Sequence, residues 1–573
     1  MKKIVWPSRL LIVCALGAIW FSAHAQLKGG SSGPGGNEPP EPSPCLTEAT
    51  LQIAANPTSV TYGQASVVSW SVVPPARCGS LTVRLNGQPV AASGSRSVTP
   101  PASATYTVIV SETRLGVYAQ RSVSAQVGVV YPPRVVISQS TSNPASVLIG
   151  ALGSTNPSQT IELCNVDIDL TGRTGIAIGS NRSLIGSPGC ERNPRRLGPR
   201  IFVTDKRGGA SLFVIQGDNV RVSGFRLEGP TSGIAQGDVK EKGILIAPPP
   251  GREPIRSIEI SNMEIFHWSG VGVQVIDNVD PNERGRLFNT NPGAVRIRGN
   301  FFHHNRHGAG EGYGVAVTDG AYATIEQNVF DENRHAIAGG SRNDDALDYS
   351  GYTLRDNLIL SGGGLHSVDA WYGFFMCFWQ CNSWYTHQID MHGDKNAWYS
   401  SHNWQCGTAG ETMIIERNTV LYTNGLAIKI RGNPADKVVV DGNVFKHKKR
   451  GDAIAQNGGC GWGDNITKPI DVRPNNVFRA DPMAELGSCD FFGDGQQDQF
   501  MATGVTWWAK SPVTQQWRYL NTMRERLSEL QLGRVDNDAV CDVAPRTSNA
   551  AMLPEKYSKS GTGPWVPLLV IKP

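Results

Sequence analysis

The chain has 573 residues, among them 64 Gly and 36 Pro, with 18% charged and 40% apolar residues. Glycine and proline at this level exclude a helical bundle, and the apolar share excludes a disordered scaffold. The formal charge of +4 falls to about +1 when Lys2, Lys3 and Arg9 are set aside with the N-terminal leader, so there is no electrostatic case for a nucleic-acid partner or an anionic membrane.

Residues 1–25 read as a secretory signal peptide: a basic start, an apolar run around Leu10 to Phe21, and Ala23-His24-Ala25 at the positions a signal peptidase reads. The run is interrupted and short for a hydrocarbon core of roughly 30 Å, and no later segment is apolar for long enough. The mature chain, starting at Gln26, is therefore expected to be secreted, extracellular or periplasmic, with no integral membrane segment. Residues 26–44 form a Gly/Pro/Ser-rich linker. Ten cysteines remain after Cys14 is removed, an even number that suits an oxidising compartment. Their grouping suggests Cys45 with Cys78, Cys164 with Cys190 and Cys489 with Cys541, while Cys377, Cys381, Cys406 and Cys460 admit three pairings.

Residues 45–131 alternate apolar and polar side chains in short runs, such as 67–72, 81–87 and 104–110, separated by turn residues, and predict a small β-sandwich. Trp70 near Cys78 resembles the bacterial immunoglobulin-like modules, which serve as spacers or glycan-docking units.

Residues 132–480 repeat a short apolar unit, with first residues at Val222, Ile260, Ile297, Ile325, Leu354, Ile415 and Val440, spaced by 38, 37, 28, 29, 61 and 25. Strands and turns at such a period predict a solenoid in which no coil buries its apolar face alone. Asn300, Asn328, Asn357, Asn418 and Asn443 recur at one place in the unit, where an amide can cap a turn and ladder to the next coil. These residues resemble the right-handed parallel β-helix of the pectate-lyase-like superfamily. That resemblance implies an all-β solenoid and spans polysaccharide lyases, hydrolases, uronan epimerases and phage tailspikes, so fold alone selects no chemistry. Asp344-Asp345 has no Gly-His-Gly partner, and no arginine signature of pectate lyases is evident, so no catalytic residue is carried over.

Residues 481–573 predict a small β module with an internal echo. Asp490, Asp494 and Asp498 followed by Trp507-Trp508 resemble one FG-GAP/VCBS repeat, and Arg534 to Asp542 resembles a second. The resemblance implies Ca²⁺ on the aspartates of the first loop, although Phe492 stands where an Asp or Asn is expected; Arg534 and Ala539 leave the second loop empty. Two units cannot close a propeller, so the module is expected to pack on the solenoid end or extend it.

Two strand segments, 388–393 and 427–432, align closely. Alternation sends Ile389, Met391, Ile428 and Ile430 into the core and Asp390, His392, Lys429 and Arg431 outward. If the coils are neighbours, these four groups form one patch. The bland alternative is an Asp390–Lys429 pair that fixes register. Eight histidines, among them His366, His387, His392 and His402, crowd this region, and between Leu354 and Ile415 lies the densest aromatic stretch, in which Trp398 and Trp404 are the candidates for a sugar-stacking wall. For β-elimination or C5-epimerisation of a uronan, Arg431 or Lys429 would stabilise charge, His392 or Lys429 would act as base, and Tyr385 or His402 would donate the proton. For hydrolysis, Asp390 with Glu411 is the nearest carboxylate pair. A metal set of His387, Asp390 and His392 is opposed by strand parity. The expectation is a polysaccharide-acting protein, its substrate anionic, working by elimination or epimerisation. The alternatives are a glycoside hydrolase and a non-catalytic glycan-binding or surface-attachment protein.

Overall fold

The computed structural model describes residues 44–568 except 77, 79–80, 101–102, 115–116, 188–197, 207, 236–239, 250–254, 277–294, 309, 341–349, 367–383, 395–405, 459–464, 537 and 548–553. The signal peptide and nearly all of the linker, Cys190, Cys377, Cys381, Cys460, Trp398, His402 and Trp404 thus lie outside the described residues. The chain divides into two compact units, one drawn from 1–54, 69–95 and 107–124, the other from 55–68, 96–106 and 125–573.

In the first unit, strand Thr82–Leu85 pairs antiparallel with Gln88–Val90 and with residues 108–111. Val83, Leu85, Val108 and Val110 are buried, and Trp70 donates its indole N–H to the Ala91 carbonyl at 2.9 Å. Cys45 and Cys78 are bridged as predicted.

The second unit is an all-β parallel β-helix with smaller antiparallel sheets after it. Three long parallel sheets run along it, and each of nine coils contributes one strand to every sheet, with one further strand at either end of the first. The first sheet has eleven strands, from Arg134–Ser138 to Asp471–Val472. The second has nine, from Asp167–Asp169 to Val444–Phe445, and the third nine, from Ile176–Ile178 to Ile454–Asn457. The inward residues of all three sheets merge into one continuous core, from Val135 through Phe213, Ile265, Phe330 and Leu354 to Phe445.

The turn between the first and second sheets explains the recurrent asparagine. Asn300, Asn328, Asn357, Asn418 and Asn443, all buried, and the half-buried Asn476 form a ladder in which each amide N–H₂ donates to the next amide oxygen at 2.9–3.0 Å. The residue before each of the first five is left-handed, at Gly299, Gln327, Asp356, Arg417 and Gly442. Three of those five are not glycine, a conformation costing roughly 1–2 kcal/mol for an L-residue, and the ladder bonds on the adjoining residue offset it.

The C-terminal strands form two four-stranded antiparallel sheets, joined by the Cys489–Cys541 disulfide. They sit on the solenoid's flank rather than its end: Met501, Trp508 and Trp517 pack against Val329, Leu358 and Leu421 from the second sheet and its edge. The outward apolar residues of those coils give the module a lateral seat, which a reading of coil cores alone does not reveal. Among the described residues no helix is long and apolar enough to cross a membrane.

Candidate active site

Residues 388–393 and 427–432 are neighbouring rungs of the third sheet. Asp390 lies opposite Lys429 and His392 opposite Arg431, while the rung on the other side, His335–Gly340, places Gly340 opposite His392. Ile389, Met391, Ile428 and Ile430 are buried in the core, in keeping with alternation.

The outward groups are arranged differently from a simple surface patch. Asp390 is 0% exposed, and its partner is not Lys429. Arg431 Nε approaches Asp390 Oδ1 at 3.3 Å, His387 Nε2 lies 3.0 Å from Oδ2 and 3.2 Å from Arg431 Nη2, and His392 Nε2 contacts the same Oδ2. Burial alone would push this carboxyl up, but Arg431, His387 and His392 outweigh it and hold the group well below the usual carboxylate range. Burial pushes His387 down to about 4, so at neutral pH it is uncharged and Arg431 is the countercharge of Asp390. The Nδ1 of His387 shares a hydrogen bond with the Thr386 hydroxyl at 3.0 Å.

Parity does not keep His387 from Asp390, because the strand begins at Ile389 and His387 belongs to the approach to it. His387 also stacks on His335 with ring centroids 4.5 Å apart, and His335 Nδ1 donates to the His387 carbonyl. His335, His387 and Asp390, rather than the set with His392, bring ligand-type atoms within 4.8 Å of one another. The Arg431 cation already sits on that carboxylate, and a metal would add a second positive charge beside it.

A cleft of about 450 Å³ opens beside this cluster. Arg334, Lys429 and Arg431 line it together with His366 and His387, and among the described residues no carboxylate belongs to its lining. One wall is a short hairpin in which Leu365–His366 pairs with Trp384–Tyr385. Gly364 opens the hairpin at φ +75°, and a Cβ there would lie 2.0 Å from the Tyr422 hydroxyl. The Thr386 N–H donates to the Gly364 carbonyl, and the Tyr422 hydroxyl donates to the Thr386 carbonyl, so the wall is tied to the segment that follows the second-sheet strand Thr419–Val420. Trp384 stacks on His366 at 4.1 Å and is itself 50% exposed; Tyr385 is 51% exposed. Burial, then Arg334, depress His366 to about 4, and burial followed by Arg431 lowers Lys429.

Of the residues predicted from sequence, Lys429, Arg431 and Tyr385 therefore meet in the cleft, with Asp390 beneath them. His392 holds Asp390 but does not line the cleft, and Glu411 lies at the start of a first-sheet strand, its charge acting on Tyr322. The cleft does not present Asp390 and Glu411 as a hydrolytic pair: the first is sealed in an ion cluster and the second is not among the residues that line it. Arg334 was missed by sequence reasoning. The one available signal was its place directly before His335, at the start of a third-sheet strand.

In the C-terminal module, Asp490 Oδ1 and Oδ2 accept from the Gly493 and Gly495 N–H groups, and Asp498 Oδ2 accepts from Phe491 and Phe492. Asp542 repeats the Asp498 pattern with Val535 and Asp536, and there Lys559 Nζ reaches Asp536 and Asp538 at 2.8 and 3.3 Å. The first loop has no such ammonium on its carboxylates among the described residues. Asp498 Oδ1 is buried without a hydrogen bond, and burial, with Asp494 and Asp490 adding to it, pushes the carboxyl up to about 6.

Fold and site together define a parallel β-helix protein with a basic, aromatic-walled cleft on its third sheet. The catalytic unit of a GH87 α-1,3-glucanase from Streptomyces thermodiastaticus is similar at 14% identity over 68% of this chain and 73% of that one, with a TM-score of 0.31. The A-module of the Azotobacter vinelandii mannuronan C-5 epimerase AlgE6 is similar at 13% identity over 59% and 96%, TM-score 0.27, and the Agl-KA catalytic domain at 10% over 75% and 94%, TM-score 0.26. No protein-family model matches the chain, and no curated protein does.

Proposed function

We propose that this is a secreted carbohydrate-active protein that performs β-elimination or C5-epimerisation on an anionic polysaccharide in the third-sheet cleft. The observation that carries this reading is a cleft with three cationic side chains and, among the described residues, no carboxylate in its lining, walled by Trp384 and Tyr385. A uronate carboxylate suits the cations, and the half-exposed rings suit the C–H face of a sugar.

In this reading Lys429 is the base. Its depressed pKa enlarges the fraction of free amine that can take the C5 proton. Arg431, fixed by Asp390, stabilises the negative charge that grows on the carboxylate as C5–H breaks. In elimination the C5 electron pair forms the C4=C5 bond, the C4–O bond breaks, and Tyr385 protonates the departing oxygen. In epimerisation a proton returns to C5 from the opposite face.

The test is incubation with polymannuronate, polyguluronate and polygalacturonate. Unsaturated, ultraviolet-absorbing ends identify a lyase, and inverted C5 with solvent deuterium identifies an epimerase. Lys429→Met is expected to lower the rate by about 10²–10⁴-fold. New reducing ends without unsaturation would identify a hydrolase instead, and retention without conversion a glycan-binding protein.

We propose Ca²⁺ for the 490–498 loop, with Asp498 Oδ1 and the Asp494 oxygen not bonded to the Gln496 N–H to meet it. Millimolar Ca²⁺ is then expected to raise the Tm at pH 7.5 in the parent chain and not in Asp498→Asn. An equal Tm with Ca²⁺ or EDTA would make the loop a disulfide-tied structural turn.

A further inference from the structure

The cations of the cleft are not equivalent. Arg431 is committed to Asp390, and Lys429 is the group whose charge is weakened by burial. Arg334 is 8% exposed and makes no ion pair with a carboxylate among the described residues. Its Nη1 reaches the Glu311 carbonyl only at 3.5 Å, its guanidinium carbon lies 5.8 Å from the Tyr313 ring centroid, and its Nε is buried without a hydrogen bond. A guanidinium is always charged and presents two parallel N–H donors to a carboxylate, and leaving such a charge buried and unpaired is costly. It nonetheless lines the cleft.

We infer that Arg334 is the receptor for a sugar carboxylate and determines the protein's preference for acidic over neutral glycans. This rests on the proposed uronan chemistry and divides its labour: Arg334 holds the carboxylate, Lys429 moves the proton, and Arg431 with Asp390 forms the fixed electrostatic frame. It also has a consequence that a structural arginine would not share. Removing a buried charge that has no carboxylate in ion-pair contact among the described residues should leave the fold as stable or more stable while ligand affinity falls.

The experiment compares the full chain with Arg334→Met and Arg334→Lys in two arms at constant ionic strength. In the first, thermal melts are recorded with glucuronate, galacturonate and acetate, with glucose as the neutral control. In the second, KM and kcat, or Kd where nothing is converted, are measured on the three uronans and on their carboxyl-reduced forms. For Arg334→Met the expected results are an unchanged or higher Tm without ligand, loss of the uronate-induced Tm rise, and a KM or Kd about 10–100-fold higher on the acidic polymers with a smaller change in kcat. Arg334→Lys should recover only part, because an ammonium lacks the paired fork. A lower Tm with unchanged affinity for uronate would overturn the inference and make Arg334 structural. If the parent chain converts uronans and Arg334→Met does so with the same KM, the inference falls and the proposed function stands. If free uronates raise the Tm through Arg334 while no polymer is bound or converted, the receptor stands and the proposed function falls. No response of the parent chain in either arm overturns both.

Discussion

Asp390→Ala is expected to destabilise the second unit by about 3–5 kcal/mol, a large fraction of the net stability of an ordinary domain. The carboxylate is fully buried, and one guanidinium and two imidazoles are built around it. Truncation leaves Arg431 without its anion and removes the oxygen that His387 and His392 contact, so the cost is that of stranded polar groups rather than of a lost surface pair. Asp390→Asn keeps the volume but not the charge and should fall between the two. The mechanism predicts non-additivity: in the Asp390→Ala, Arg431→Met double variant, neither charge remains to be stranded, and part of the stability should return. Urea melts of the four proteins test this. Equal midpoints for the parent chain and Asp390→Ala would show that the cluster is solvated rather than a buried ion network.

How far the sequence reveals this site depends on which rule positions each residue. Ile389, Met391, Ile428 and Ile430 follow strand alternation, so their burial and the pairing of their coils were legible, as was the ladder from Asn300 to Asn443. Alternation also points Asp390 outward, but it carries no information on what covers an outward residue. Two of the groups that enclose Asp390, His387 and Arg431, show the limits of the rule. His387 precedes its strand and is turned inward by Thr386 and the hairpin wall, while Arg431 reaches back diagonally from the next rung in preference to Lys429 directly opposite. Arg334 is harder still. It belongs to the coil before the long insertion, more than fifty positions from Asp390 in sequence, and coil stacking alone makes them neighbours. Trp384 sits within an aromatic-rich stretch where composition distinguishes no ring from another. Its position in a hairpin, stacked on His366, selects it.

The second large effect is acid sensitivity. His335 and His387 are buried side by side, and burial lowers both pKa values, His335 well below the ordinary range and His387 to about 4. Arg334 and the stacked His387 further oppose a proton on His335, with Asp390 the nearby anion that favours one; around His387, Asp390 favours the proton while Arg431 and Lys429 oppose it. Between their unfolded value of about 6.5 and their folded values, the unfolded chain binds protons that the native chain refuses, so stability must fall as pH falls. The contribution is fully present above about 6.5 and is lost at up to about 1.4 kcal/mol per pH unit for each histidine, or about 3 for the pair. Asp390 enters only later. Its folded pKa lies below its unfolded one, so its stabilisation persists above about 4 and is lost as pH drops through the folded value. The expected profile is a plateau in Tm from pH 8 to about 6.5 and a decline below it that does not level off at about 4, because Asp390 begins to lose its contribution where that of His387 ends. His335→Gln should make the decline between about 6.5 and about 4 about half as steep, leaving the share of His387, and should keep the Asp390 share below about 4, because it removes one refused proton without touching the carboxylate. Calorimetric melts across pH 8 to 3 at fixed ionic strength measure both limbs, and a Tm that stays level from 6.5 to 4.5 in the parent chain would mean that these imidazoles are hydrated or already protonated in the native state.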